Sequence, residues 1–134
     1  MFNVRPIGLV QSPLKLREHA PKQGGDGTPE ARLVFSGEFQ PGLADIQPGD
    51  ELLVLTWLHR GNRDVLQVHP KGDLRLPLRG VFSTRSPDRP NPIGIHRVRV
   101  LAIEGPTELR VAGLEAFDET PIVDVKPVLD GGER

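Results

Sequence analysis

This chain predicts an all-β fold: a small single-domain β-barrel with long proline- and glycine-rich loops. Two observations carry the prediction. Apolar residues recur with period two or in short runs bounded by glycine and proline, the pattern of short strands rather than helices. Fourteen prolines and fifteen glycines in 134 residues leave no uninterrupted stretch for a long helix. Many short strands with frequent punctuation fold as a barrel or a sandwich. No internal repeat or second unit is visible, so residues 1–134 read as one domain.

The elements follow in order. Strands are expected over 2–10 (FNVRPIGLV) and 31–39 (ARLVFSGEF), separated by the loop REHAPKQGGDGTPE at 17–30, whose glycines are too flexible for an element. PGLADIQPGD provides one helical turn near Leu43–Ile46. The strand at 51–58 (ELLVLTWL) puts Leu53, Leu55 and Trp57 on one face and Leu52, Val54, Thr56 and Leu58 on the other. Both faces are apolar, which predicts a central strand with Trp57 in the core. Further strands are read at 64–69, 80–85, 94–103, 108–112 and 121–126. In the last, PIVDVK, alternation sends Val123 and Val125 to the core and Asp124 with Lys126 to the other side.

Between the fifth and sixth strands lies STRSPDRPNPIG, residues 83–94. Pro87, Pro90 and Pro92 fix φ, remove backbone donors and bias the residue before each toward extended conformations. The segment is therefore a stiff loop carrying Arg85, Asp88, Arg89 and Asn91, and a stiff loop loses less entropy when a ligand arrives.

Charge is polarised along the chain although the net is only −1. Residues 75–99 hold six arginines against the single acid Asp88, whereas 104–134 hold eight acids against Arg110, Lys126 and Arg134. The basic segment suits an anionic partner such as a phosphate backbone, or else the two halves neutralise each other across the fold. Arg97 and Arg99 share one face of their strand, with Val98 and Val100 on the other.

Several chemistries are excluded. With no cysteine there is no disulfide, thiolate metal site or cysteine nucleophile, and a cytoplasmic protein is expected. No apolar run reaches the roughly 18 residues of a membrane span, and MFNVRPIGLV lacks the pattern of a signal peptide. GxGxxG, GxxxxGK[ST] and GxSxG are all missing. His19, His59, His69 and His96 lack metal-ligand spacing, so no metal is expected.

GVFSTRSPDRPNPIG (80–94) and DETPIVDVKP (118–127) closely resemble the two signatures of the TsaA-like (TrmO) family, approximately GVFATRSPxRPNPIG and DGTPVLDIKP. RPIGLVQSP (5–13) and FQPGLADIQPGDELLVLTWLHR (39–60) add further matches in the same order. The resemblance implies a β-barrel S-adenosylmethionine-dependent methyltransferase, generally a homodimer, with the cofactor beside the proline-rich loop near the subunit interface. It further implies methylation of the exocyclic amine of threonylcarbamoyladenosine in tRNA.

Carried over by motif, Phe82, Ser83, Thr84, Arg85 and Asp118 would bind the cofactor. Arg89 and Asn91 would anchor the loop or reach phosphate, and Arg97 with Arg99 would extend an anionic docking surface. Asp124 would be the proton acceptor and Lys126 its electrostatic partner.

The chain also departs from the family pattern. Glu119 stands where the family has glycine, Val128 where it has tyrosine, and Asp50-Glu51 where many members have Ser-His. It also stops soon after the second signature, where some members continue into another domain. Two other readings therefore stay open: a methyltransferase for a small molecule, and a non-catalytic S-adenosylmethionine-binding module.

Overall fold

The computed structural model describes residues 1–13 and 29–129. Eight strands form: β1 (Gly8–Gln11), β2 (Glu30–Phe35), β3 (Glu51–Trp57), β4 (Gln67–Val68), β5 (Arg79–Gly80), β6 (Ile93–Gly105), β7 (Glu108–Ala112) and β8 (Pro121–Pro127). Six of them close a barrel in the order β1-β2-β7-β6-β3-β8, every neighbouring pair antiparallel, while β4 and β5 pair apart as a short ribbon. Of the two architectures that the pattern allows, closure selects the barrel, in which each of the six strands has a paired neighbour on both sides.

Alternation fills the interior. Val10, Leu33, Leu52, Val54, Val98, Val100, Leu109, Val111 and Ile122 are buried and form one cluster with Leu114 and Ala116. Branched and mid-sized side chains dominate, with Phe35 the one aromatic ring of the cluster among the described residues. Trp57, expected in the core, is instead half-buried on the outer face of β3, where the Arg63 guanidinium lies 5.1 Å from its ring centre. The pleat decides this: Leu52, Val54 and Thr56 point inward, so Trp57 must point outward.

Other boundaries also move. Residues 2–7 are not strand, so the expected strand 2–10 shrinks to β1. The strand read at 31–39 ends at Phe35, because Gly37–Leu43 turns into a 3₁₀ helix. That helix lies ahead of the turn expected at 43–46. The strands read at 64–69 and 80–85 reduce to β4 and β5, and Val81–Ser83 is another 3₁₀ turn, anchored by the buried Val81. The loop at 17–30 lies outside the described residues except for its last two positions.

β8 carries one reversal of phase. Asp124 sits opposite Leu55, yet Ile122 sits opposite Thr56, so Val123 is an extra residue in a bulge. Ile122 therefore takes the core position expected for Val123, while Val125 keeps its place against the core. Among the described residues no helix is long and apolar enough to cross a membrane.

Candidate functional site

Removing backbone donors with proline leaves a loop rich in carbonyl acceptors, which must find donors elsewhere. Arginine supplies them. Arg89 donates from Nη1 to the Thr84 and Ser86 carbonyls at 3.0 and 2.9 Å, and from Nη2 to the Val81 carbonyl at 2.7 Å. Arg63 donates from Nε to the Pro90 carbonyl at 2.6 Å and from Nη2 to Asn91 Oδ1 at 2.9 Å. The Asn62 N–H donates to Asp88 Oδ1 at 2.9 Å. Arg89 and Asn91 thus brace the loop against itself and against residues 62–63.

This braced loop forms one wall of a cavity of about 310 Å³ at the mouth of the barrel. Arg85, Pro87 and Arg89 line it from the loop, Leu58 to Gly61 from the end of β3, Ile93 to His96 from β6, and Glu115 to Phe117 with Thr120 from the β7–β8 connection. Its volume lies at the lower end of the roughly 300–1,000 Å³ of small-molecule sites, and its walls are mainly apolar. Exposed Arg60 and Arg85 mark the outer rim, and Arg60 stacks over the Phe117 ring at 4.2 Å. Buried Gly94 and Thr120 lie at the inner end.

Two glycines make the geometry possible. A Cβ on Gly61 would stand 2.3 Å from the Pro87 carbonyl oxygen, so only glycine lets the two loops close on each other. A Cβ on Gly94 would stand 2.7 Å from Thr56 Oγ1 and 3.0 Å from His96 Nε2. Those two atoms are themselves hydrogen-bonded at 2.9 Å, and Thr56 is fully buried. Burial lowers the His96 pKa from its usual 6.5 to about 4, so the ring is neutral at physiological pH.

Of the residues expected at the cofactor, Arg85 lines this cavity. Phe82, Ser83 and Thr84 do not, and Phe82 is 79% exposed. Ser83 and Thr84 instead close the 3₁₀ turn, their hydroxyls donating to the Gly80 and Val81 carbonyls at 2.8 and 2.9 Å. Asp118 lies on another side, where its Oδ1 accepts the Ser12 N–H at 2.9 Å and ties the β7–β8 connection to β1. Glu119 beside it has φ of 68°, a left-handed conformation that explains a glycine in the family pattern.

Asp124 and Lys126 share a side as expected, with Lys126 Nζ 3.3 Å from Asp124 Oδ2. They line a separate groove with Phe39, Leu43 and Ile46 and do not meet Arg85. Arg97 and Arg99 are exposed on the outer face of β6. Arg97 is paired with Glu51, its Nε donating to Oε2 at 2.6 Å, so part of the expected basic surface is neutralised.

Sequence reasoning missed His59, Arg60, Gly61, His96, Glu115, Phe117 and Thr120. His96 had a signal: alternation that puts Val98 and Val100 inward puts Gly94 and His96 inward too. The others sit on loops, which carry no period to read.

The tRNA-methyltransferase O N-terminal domain family matches residues 9–131 of this chain. A protein of Archaeoglobus fulgidus described as a probable S-adenosyl-L-methionine-binding protein is 45% identical over 127 residues, 95% of this chain and 34% of its own length. Another with that description, from Methanothermobacter thermautotrophicus, is 42% identical over 126 residues, 94% of this chain and 89% of its own. The crystal structure of TrmO from Pseudomonas aeruginosa is 26% identical with a TM-score of 0.76, covering 96% of this chain and 56% of that one. The chain therefore spans a third of the first relative and just over half of the TrmO chain.

Proposed function

We propose, from the fact that this chain belongs to the tRNA-methyltransferase O N-terminal domain family, that it is an S-adenosylmethionine-dependent methyltransferase acting on the exocyclic amine of threonylcarbamoyladenosine in tRNA. The observation that carries the reading is the mouth cavity, walled on one side by the proline-rich signature loop. Its residues fit the cofactor. The apolar wall of Leu58, Ile93, Ile95 and Phe117 suits a flat ring, and Arg60, Arg85 and Glu115 carry the charges that complement a carboxylate and an ammonium. When bound, the cofactor supplies a methyl group activated on a sulfonium.

Methyl transfer of this kind is a direct displacement and needs no covalent enzyme intermediate. The chain's work is then positioning. Arg89 and Arg63 hold the loop in place before binding, so little ordering entropy is lost on capture. The apolar wall would exclude water from the reacting atoms, and the fixed loop would hold donor and acceptor together. Exposed Arg99, and Arg97 once it exchanges Glu51 for phosphate, would guide a polyanion along β6.

The pairing of Arg97 with Glu51 favours a second reading, a methyltransferase of a small acceptor, since it removes charge from the surface a tRNA would need. Mass spectrometry of tRNA nucleosides from a deletion strain separates the two. Loss of one methylated adenosine that returns with the wild-type protein supports the tRNA reading. An unchanged nucleoside profile refutes it. In vitro, Arg97→Ala with Arg99→Ala weakens tRNA binding and flattens its salt dependence by about one counterion per lost phosphate contact, with cofactor affinity unchanged.

A further inference from the structure

Trp57 and Ile93 sit opposite each other across the β3–β6 pair, and both point out of the barrel. Beside them opens a second cavity, of about 560 Å³, bounded by Phe2 and Val4 of the N-terminal segment and by Val123 of β8. It shares only Ile93 with the mouth cavity. Its rim leaves apolar side chains in water: Phe2, Val4 and Ile93 are 84, 55 and 46% exposed. An exposed apolar surface of this kind marks a binding site.

The polar groups around it are cations and donors. The Arg63 guanidinium lies 5.1 Å from the Trp57 ring centre, held by the Pro90 carbonyl and by Asn91 Oδ1. Those contacts occupy Nε and Nη2, and Nη1 has no protein partner among the described residues. The Asn91 amide nitrogen is likewise uncommitted there. Arg5 lies 5.3 Å over the Phe39 ring, and neither arginine is ion-paired among the described residues. No described aspartate or glutamate lines the cavity.

Resting on the tRNA reading above, we propose that this outer cavity holds one unpaired nucleotide of the RNA strand, its base against the Trp57–Arg63 pair and its phosphate toward Arg5 and Arg63 Nη1. A base is flat with apolar faces, and unpaired bases are held by stacking on aromatic rings and guanidinium planes. Its phosphate is the anion that two unpaired arginines call for. Arg63 is fixed beforehand by Pro90 and Asn91, so the stacking surface is ordered before the base arrives. The track is continuous with the basic face of β6: Arg97 is exposed on the same outer side as Ile93, roughly 13 Å further along the strand. A second copy of the chain fits the cavity less well. A twofold contact of the patch with itself would set Arg5 and Arg63 against the same cations, with no carboxylate lining the cavity to offset them.

The test uses the full chain without a label, because Trp57 is its one tryptophan and there is no tyrosine. Trp57 emission is followed as a short single-stranded oligoadenylate RNA, the same RNA annealed to its complement, or free adenosine monophosphate is added. The single strand is expected to quench saturably, and the other two far more weakly. Anisotropy of the labelled single strand is expected to show about tenfold weaker binding to Trp57→Leu, the loss of one stacked base. Arg5→Gln is expected to flatten the salt dependence by about one counterion. Should Trp57→Leu fail to fold, Arg5→Gln and the wild-type quenching decide. Equal quenching by the duplex overturns the stacked base, and free nucleotide binding as tightly as the strand overturns RNA as its source. Emission that shifts with protein concentration and not with RNA overturns the site in favour of a second copy. Calorimetry with S-adenosylhomocysteine on the same protein keeps the two readings apart. Cofactor binding without quenching overturns the outer site alone, and quenching without cofactor binding overturns the methyltransferase reading alone.

Discussion

Acidification probes the neutral histidine of the cavity directly. In the folded protein His96 stays unprotonated down to about pH 4, because burial penalises the charged ring. In the unfolded chain it takes up a proton near 6.5. Between those values the unfolded state binds more protons, so stability is full above about pH 7 and falls as the pH falls. The loss is about 2 kcal/mol on going from pH 7.5 to 5, and it levels off near 3 kcal/mol below pH 4. With a urea slope of 1–3 kcal/mol/M, 2 kcal/mol moves the unfolding midpoint by roughly 1 M. The assay is urea unfolding at both pH values for the wild type and for His96→Gln, which keeps a partner for Thr56 but cannot titrate. Equal pH dependence in the two proteins would refute the reasoning, since His96 would then share one pKa folded and unfolded.

Gly61→Ala places a Cβ against the Pro87 carbonyl at 2.3 Å, backbone against backbone, and is expected to cost roughly 1–3 kcal/mol in urea unfolding and to weaken cofactor binding. Gly37→Ala, with nothing within 4 Å of the new methyl, serves as the control for close approach. Glu119→Gly relieves a left-handed side-chain conformation and is expected to stabilise by about 1 kcal/mol, read from the same unfolding curves. Leu66, Leu74, Leu78 and Phe82 are 63, 79, 52 and 79% exposed around the β4–β5 ribbon, a surface that suits a second copy of the chain. Sedimentation at micromolar concentration is expected to show roughly twice the monomer mass, and a monomer throughout that range rejects the dimer.

Much of the barrel was legible because its strands obey a local rule. β3, β6, β7 and β8 lie within one or two residues of where alternation and proline placed them. In the strand read at 80–85 only Gly80 is strand, since a short apolar run such as GVF cannot distinguish a strand from the 3₁₀ turn that Ser83 and Thr84 hold at Val81–Ser83. The site was legible only where a signature marked it. The proline-rich loop and Arg85 line the candidate cavity, whereas Arg60, Glu115 and Phe117 come from loops that meet it only when the barrel closes.

By itself the sequence determined that the chain is all β, that residues 83–94 form a stiff arginine-bearing loop, and which family it resembles. Each of these rests on neighbours within a few residues, through φ restriction, side-chain alternation and a contiguous motif. Tertiary structure alone decided that Arg89 braces rather than projects, that Asp124 and Lys126 line a groove apart from Arg85, and that a bulge puts Ile122 in the core instead of Val123. It also decided that His96 meets Thr56, 40 residues away, across the β3–β6 pair. Those outcomes depend on strand register and barrel closure, which pair residues distant in sequence and leave no trace in local periodicity.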